Sequence, residues 1–180
     1  MKKEGIIRFA LAALLVLALA VPALAGDMAA KVDHKAAFEA LKGLAGEWTG
    51  EGAVGEQRMP AKTVFEVTSN GSLVLERMGP GTEHEMLNAY HLVNGELVAV
   101  HYCSSGNQPR MKLDPERSKP GDLVFAFDGG TNFDPKKDSH IHGLRLTLKD
   151  GSHLETEWDF WDAGKSQNSM RMSLSKAGGR

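Results

Sequence analysis

The sequence predicts a mainly β protein in which nine or ten antiparallel strands follow one short helix and close into an up-and-down barrel. From about residue 47 onward, short runs rich in Val, Phe, Leu, Thr and Tyr are bounded by turn residues. Sequential strands joined by short turns pair in antiparallel fashion, and closing such a sheet removes its two exposed edges. A two-sheet sandwich is the alternative, although no Cys-Trp-Cys arrangement supports an immunoglobulin-type version.

Helical periodicity occurs just before the first predicted strand. Asp33 can cap a helix over 34–44, in which apolar residues recur at helical spacing. The longest connection, 128–140, lacks a periodic pattern, and loops of that length are often functional lids. Hairpin turns are expected at Asn94-Gly95, Asp150-Gly151 and Ala163-Gly164. Strands are predicted at 47–54, 61–69, 72–79, 85–93, 96–103, 109–114, 122–128, 141–149, 153–161 and 167–174.

Residues 1–25 have the three regions of a cleavable secretory signal peptide. Basic residues precede an uncharged apolar run over 9–21, which is shorter than the roughly 20 apolar residues that a bilayer-spanning helix needs. Ala23 and Ala25 are small residues at the positions that signal peptidase reads, so we expect cleavage before Gly26. The sequence therefore predicts an exported protein, periplasmic or secreted, without a stable membrane anchor. An uncleaved signal anchor is the alternative.

The predicted organisation after cleavage is a short linker over 26–33, a single barrel domain over 34–176 and a tail over 177–180. The chain carries 21 Lys and Arg against 23 Asp and Glu, and no basic block is present. This charge balance argues against nucleic acid as a partner. Cys103 is the single cysteine, so an internal disulfide is excluded and the thiol is either buried, reactive or paired with another chain.

The predicted helix leads into the motif Gly46-x-Trp48-x-Gly50-x-Gly52 at the first strand. This motif resembles the opening of lipocalin-like (calycin) barrels, and among them it is most similar to the nitrobindin-type haem-binding barrels. The resemblance implies a lipocalin-like barrel in which the Trp packs over one end and the glycines let the strand bend into closure. Nitrobindin-type proteins ligate iron through a His near the C-terminus, whereas no His follows His153 in this sequence.

A second set of segments is similar to an exported bacterial family without an assigned activity. The segments are 101–103, 106–111, 128–132 and 140–143, with the sequences His-Tyr-Cys, Gly-Asn-Gln-Pro-Arg-Met, Asp-Gly-Gly-Thr-Asn and His-Ile-His-Gly. This resemblance implies a barrel and an exported protein, and it implies no chemistry.

Three histidines lie on or next to predicted strands, where they could share a site. His101 and Cys103 lie on one face of their strand, and either face could point inward. His140 and His142 share a face with a row of leucines, so His142 and also His140 are expected to point into the barrel near its mouth. Imidazoles and a thiol can hold zinc, copper or haem iron. The other interpretation is that these histidines are hydrogen-bonded core residues or lie on loops in water.

Polar and aromatic residues complete the predicted pocket. Asn107 and Arg110 belong to a polar segment after His101, where they could line the mouth and the guanidinium could bind a carboxylate or phosphate. A solvated turn is the alternative for this segment. Trp158 lies on the apolar face of the most regular alternating strand and is expected inside. The predicted ligand-binding residues are His101, Asn107, Arg110, His142 and Trp158.

The function expected from these features is binding of a small apolar or amphipathic molecule inside the barrel. Nucleophile-elbow, phosphate-loop and dinucleotide motifs are absent from the sequence, which assigns no catalytic residue and specifies no cofactor. Three alternatives stay open. They are a metal or haem carrier using His101, His140 and His142, an enzyme using His101 or His142 as a base oriented by a carboxylate or Asn, and a structural module with a filled barrel.

Overall fold

The structure is a computed structural model that describes residues 31–178. The predicted signal peptide, residues 26–30 of the predicted linker and residues 179–180 of the predicted tail lie outside the described residues. Among the helices of the described part, none combines the length and the apolar character needed to cross a bilayer.

One helix, one 3₁₀ turn and eleven strands make up the described chain, and each predicted strand overlaps an observed one. The helix is α1 (His34–Lys42), and the 3₁₀ turn is Ser69–Gly71. The strands are β1 (Gly46–Val54), β2 (Gln57–Thr68), β3 (Leu73–Met78), β4 (Met86–Val93), β5 (Glu96–Tyr102), β6 (Gln108–Leu113), β7 (Asp122–Thr131), β8 (His140–Leu148), β9 (His153–Asp162), β10 (Lys165–Ser166) and β11 (Met170–Lys176).

Ten of these strands form a closed antiparallel barrel, which confirms the predicted fold class. Strands β1 to β8 pair in sequence order, β8 pairs with β9, β9 with β11, and β11 with β1. The two-residue β10 only extends the hairpin that starts at the end of β9. The ring therefore has no open edge between its first and last strands, as expected for a sheet that avoids edge-to-edge association.

Helix α1 covers one end of the barrel, as its amphipathic pattern predicts. The carboxylate of Asp33 caps the helix by accepting a hydrogen bond from the backbone N–H of Ala36 at 2.8 Å. The buried face of the helix, which includes Leu41, packs against β2, β4 and β5. The Trp48 indole N–H donates to the Leu44 carbonyl at 2.7 Å and so ties the chain after the helix to β1.

The two barrel ends differ in how they are filled. Beneath the helix the interior is packed with large buried side chains, among them Trp48, Phe65, Leu97 and Phe125. Because the strands alternate in direction, the opposite end is made by the connections 55–56, 79–85, 103–107, 132–139 and 163–169. We call this opposite end the far end.

The predicted hairpin turns are confirmed. Asn94 and Gly95 have φ values of 51° and 87°, and Ala163 and Gly164 have φ values of 48° and 71°. Two consecutive positive φ angles are typical of the two-residue hairpin turn whose twist matches that of the flanking strands. At the third turn, the carboxylate of Asp150 accepts hydrogen bonds from the backbone N–H groups of the two residues that lead into β9.

Several boundaries differ from the sequence prediction, since α1 already ends at Lys42 and β11 spans Met170–Lys176. Strand β2 begins at Gln57 and pairs with β1 across a tight turn at 55–56, although Pro60 lies within it. Strand β7 continues to Thr131 because Gly130 still pairs with β6 beyond a β-bulge, so the connection predicted over 128–140 spans only 132–139. Glycines and the bulge interrupt the apolar alternation there, and this interruption hides the end of the strand from the sequence.

Barrel closure depends on a close approach between β1 and β11 at Gly50. A Cβ atom added at Gly50 would lie 2.0 Å from the carbonyl oxygen of Ser173, which real Cβ atoms do not tolerate. A Cβ atom added at Gly52, two residues further along β1, would meet its nearest neighbours at 3.5 Å, an ordinary van der Waals contact. Gly50 and Gly52 therefore have different roles.

Gly50→Ala is expected to lower the free energy of unfolding by at least about 2 kcal/mol, because β1 and β11 must separate to admit the methyl group. Gly52→Ala is the matched control, and it is expected to change stability by less than about 0.5 kcal/mol. Urea unfolding followed by circular dichroism measures both values. Equal effects of the two substitutions would contradict the role assigned to Gly50.

Candidate functional site

A buried polar ladder crosses three neighbouring strands inside the barrel. Glu76 on β3 lies directly opposite Asn88 on β4, and Asn88 lies directly opposite His101 on β5. All three side chains are buried. Polar groups in such a position need hydrogen-bond partners, and directly opposed residues of antiparallel strands are close enough to supply them.

The hydrogen bonds of the ladder determine which nitrogen of His101 carries a proton. Glu76 accepts hydrogen bonds from the Tyr90 hydroxyl at 2.6 Å, from the Asn88 amide nitrogen at 2.8 Å and from the Thr63 hydroxyl at 3.1 Å. Because the Asn88 nitrogen donates to Glu76, the Asn88 oxygen faces His101 Nδ1 at 2.7 Å and acts as an acceptor. The ring therefore donates from Nδ1, and its Nε2 atom carries a free lone pair.

The Nε2 atom of His101 is buried and has no hydrogen-bond partner among residues 31–178. The residue is 1% exposed, and burial lowers the pKa of the imidazole from 6.5 to about 4. The ring is consequently neutral at neutral pH, and Nε2 can only accept a hydrogen bond or ligate a metal ion. An unpartnered buried acceptor is uncommon in folded proteins and calls for a structural explanation.

The Glu76 carboxyl group at the other end of the ladder is held by hydrogen bonds from neutral side chains. Burial raises the pKa of Glu76, while the hydrogen bonds from Tyr90, Asn88 and Thr63 oppose that rise. Burial also raises the pKa of Tyr90 well above its ordinary value, and the Glu76 carboxylate adds to this effect. The ladder is thus a connected set of donors and acceptors that holds Asn88 in one orientation.

An apolar pocket of about 360 Å³ opens at the far end of the barrel, and His101 borders it. The ring of Trp158 lies beside His101, with 5.5 Å between the ring centroids. Phe160, on the same face of β9 as Trp158, is 37% exposed at the mouth. The lining residues are Val54, Met78, Met86, His101, Cys103, Ser105, Ser139, His140, Ile141, Trp158, Phe160, Asn168 and Met170.

The five predicted ligand-binding residues occupy three different environments. His101 and Trp158 border the far-end pocket. Asn107 is buried, and its amide nitrogen donates to the Ser139 carbonyl at 2.8 Å, which ties the β5–β6 connection to the pocket rim. Arg110 lies on the outer surface, where its guanidinium is 3.0 Å from the Asp128 carboxylate.

The fifth residue, His142, points out of the barrel, so the inward orientation expected for it is wrong. Ile141 pairs with Phe160 and Gly143 pairs with Asp159, which leaves His142 as the extra residue of a β-bulge in β8. The bulge reverses the alternation, and Ile141 takes the inward position at the pocket. Regular alternation counted back from the leucines of β8 therefore fails at this residue.

His142 instead belongs to an aromatic stack on the barrel wall. Its ring lies between Trp161, at a centroid distance of 3.7 Å, and Phe127, at 4.4 Å. Its Nδ1 atom is 3.0 Å from Nε2 of His140, whose own Nδ1 donates to the Asp138 carbonyl at 2.9 Å. Burial, followed by the charge of His140, lowers the pKa of His142. The stack lies just beyond the point where pairing between β7 and β8 ends, at Ala126 and Gly143.

The metal site considered for His101, His140 and His142 is not formed. Within the described residues, no group of three or more His, Cys, Asp or Glu side chains is arranged to hold a metal ion. His140 borders the pocket and His142 lies outside it, so His101, His140 and His142 do not converge.

Glu76 and Asn88 are site residues that the sequence analysis missed. Each lies at an inward position of its strand, as Glu76 shares a face with the buried residues Val74 and Met78. A charged residue at an inward position of an alternating strand is a pattern visible in the sequence. The pairing of Glu76 with Asn88, however, depends on the register between strands.

The protein is therefore a closed ten-stranded antiparallel barrel with a helix at one end and an apolar pocket at the other. The sequence matches no family model, and no curated protein matches it. Among solved structures, the chain is similar to a protein of unknown function from the DUF3598 family of Nostoc punctiforme, with a TM-score of 0.52 and 10% identity. The match covers 76% of this chain and 49% of the other, so this chain spans about half the length of that protein. This likeness concerns the fold alone.

The depressed pKa of His101 predicts that the protein loses stability as the pH falls. The unfolded state takes up the proton near pH 6.5 and the folded state only near pH 4, so this contribution is complete above about pH 6.5 and is lost progressively toward pH 4. The loss amounts to about 3 kcal/mol. His101→Asn keeps a donor toward the Asn88 oxygen but cannot titrate, and its unfolding free energy should fall less over the same range. Urea unfolding at pH 7 and pH 4 measures the difference, and identical losses in both proteins would contradict a buried neutral His101.

Proposed function

We propose that this protein binds a small apolar or amphipathic molecule in the far-end pocket. The observation that carries the proposal is the Nε2 atom of His101, a buried acceptor without a partner beside an apolar pocket of about 360 Å³. Small-molecule sites typically have volumes of about 300–1,000 Å³, mostly apolar walls and a few placed polar groups.

A bound molecule with one hydrogen-bond donor supplies what this pocket lacks. An unsatisfied buried polar group costs about 1–3 kcal/mol, and donation from a ligand to His101 Nε2 removes that cost. The rest of such a ligand contacts Trp158, Ile141 and the methionine side chains of the lining. The Asn88–Glu76 part of the ladder holds the ring in the accepting tautomer, so no rearrangement of the pocket is required.

The difference between the two barrel ends supports binding over a purely structural role. Helix α1 and the large core side chains fill the end beneath the helix, where the cavity volume is about 20 Å³. The far end holds a much larger space, and its mouth includes the partly exposed Phe160.

Catalysis by His101 as a general base is a weaker candidate. Asn88 orients the ring, as such a base requires. A pKa of about 4, however, makes His101 a poor proton acceptor at neutral pH, because an effective base has a pKa near the working pH. The same property suits a group that only accepts a hydrogen bond.

The direct test compares 2-naphthol with 2-methoxynaphthalene, which have similar apolar surfaces but differ in the hydroxyl donor. Isothermal titration calorimetry is expected to give at least about fivefold tighter binding of 2-naphthol, the value of a net hydrogen bond of about 1 kcal/mol. His101→Asn, which lacks the Nε2 acceptor, should remove this preference.

A second pair of variants locates the binding site. Ile141→Trp fills the pocket and should abolish binding of both naphthalenes, whereas Tyr102→Trp on the exposed side of β5 should leave it unchanged. Absence of binding to the wild-type protein, or undiminished binding to Ile141→Trp, would contradict the proposed function.

We also propose that the protein is exported, with residues 1–25 removed. The support is the basic start, the short apolar run and the small residues at 23 and 25.

Expression of the full chain in a Gram-negative host should give a periplasmic product that begins at Gly26, as read from its intact mass. Ala25→Trp should block cleavage because the peptidase requires a small residue at that position, and Ala29→Trp, beyond the cut, is the control. A full-length mass for the wild-type protein would contradict the prediction.

A further inference from the structure

Sulfur atoms from two neighbouring strands meet at the rim of the far-end pocket. The Cys103 sulfur, just after β5, is 4.0 Å from the thioether sulfur of Met86 on β4. Met78 on β3 is directly opposite Met86 in the strand register, and both methionines border the pocket with Cys103. These three sulfur atoms, which are soft metal ligands, therefore lie at the pocket, and the proposed small-molecule binding assigns them no hydrogen bond.

The separation of the two sulfurs is that of two ligands of one metal ion. With metal–sulfur bonds of about 2.3 Å, two sulfurs 4.0 Å apart subtend an angle of about 120° at the ion. That angle belongs to a trigonal arrangement, which requires one further donor in the same plane.

His101 borders the same pocket and offers a nitrogen donor. It lies two residues before Cys103 on the same face of the chain, and both residues border the pocket. Within the part of the chain that the structure describes, its Nε2 atom has no partner although the residue is only 1% exposed. Donation from Nδ1 to Asn88 leaves the Nε2 lone pair free, and metal-binding histidines are commonly oriented by such a bond from their other nitrogen.

We propose that His101 Nε2, Cys103 Sγ and Met86 Sδ bind one Cu(I) ion. Thiolate and thioether sulfur are soft ligands that select Cu(I), whereas hard cations require carboxylates. Among the described residues, those that line this pocket include no Asp or Glu. Binding replaces the thiol proton by the metal, so Cys103 releases one proton and the resulting thiolate–Cu(I) pair is neutral overall. A neutral centre is compatible with an apolar pocket, whereas a divalent ion would leave a net charge there.

The Cu(I) site goes beyond the proposed binding of a small molecule and is separable from it. Both ligands use His101 Nε2, so bound Cu(I) should exclude 2-naphthol from its hydrogen bond. Cys103 and Met86 donate sulfur to the metal ion, whereas a bound small molecule only packs against the side chains of the lining.

The test is an anaerobic Cu(I) titration of the reduced protein in competition with bathocuproine disulfonate. The wild-type protein is expected to bind one Cu(I) per chain, and Cys103→Ser and Met86→Leu should each weaken binding more than about tenfold. Met59→Leu, at an exposed position on β2, is the matched methionine control and should leave the affinity unchanged. X-ray absorption at the copper edge should show two sulfur neighbours and one nitrogen neighbour.

Separate readouts keep the two proposals apart. Urea unfolding followed by circular dichroism should show that Cys103→Ser is folded, and Met86→Leu changes volume little and tests the site independently. Retained Cu(I) affinity in both variants, or copper coordination without sulfur, would overturn the metal site without touching the small-molecule proposal. A wild-type protein that binds Cu(I) but not 2-naphthol would overturn the small-molecule proposal and leave the metal site standing.

Discussion

The register between β3, β4 and β5 is the constraint on which the site depends. It places Glu76, Asn88 and His101 directly opposite one another inside the barrel, and their hydrogen bonds then leave only one tautomer for the imidazole. A slip of one residue between any two of these strands would turn the ladder outward and separate its members. Barrel closure through β1 and β11 protects that register, because a closed sheet cannot gain or lose pairing at an edge.

The two ends of the barrel divide stability and chemistry between them. Helix α1 and the aromatic residues beneath it fill one end, and this packing provides much of the buried apolar surface. The far end retains a pocket whose polar feature is a neutral, unpartnered imidazole nitrogen beside soft sulfur atoms. The ladder connects the two regions, since Tyr90, which contacts Phe125 in the core, donates to the same carboxyl group that orients Asn88.

Alternation and turn residues predicted the strands well because both are local properties. The helix after Asp33, the turn at Asn94-Gly95 and the inward face of Trp158 follow from a few neighbouring residues. His142 was assigned to the wrong side because a bulge depends on pairing with β9, which no local pattern encodes. Similarly, the strand of His101 was placed correctly, but the inward side of that strand and its partner Asn88 are set by contacts between strands.

The most direct test of this account is the protonation state of His101, measured by ¹⁵N NMR on protein labelled in its histidine rings. The account predicts a neutral ring at pH 7 that carries its proton on Nδ1, with an unprotonated Nε2 whose resonance moves when 2-naphthol is added. A proton on Nε2, or an imidazolium ion at pH 7, would contradict it, because the pocket would then lack the acceptor on which its proposed function rests.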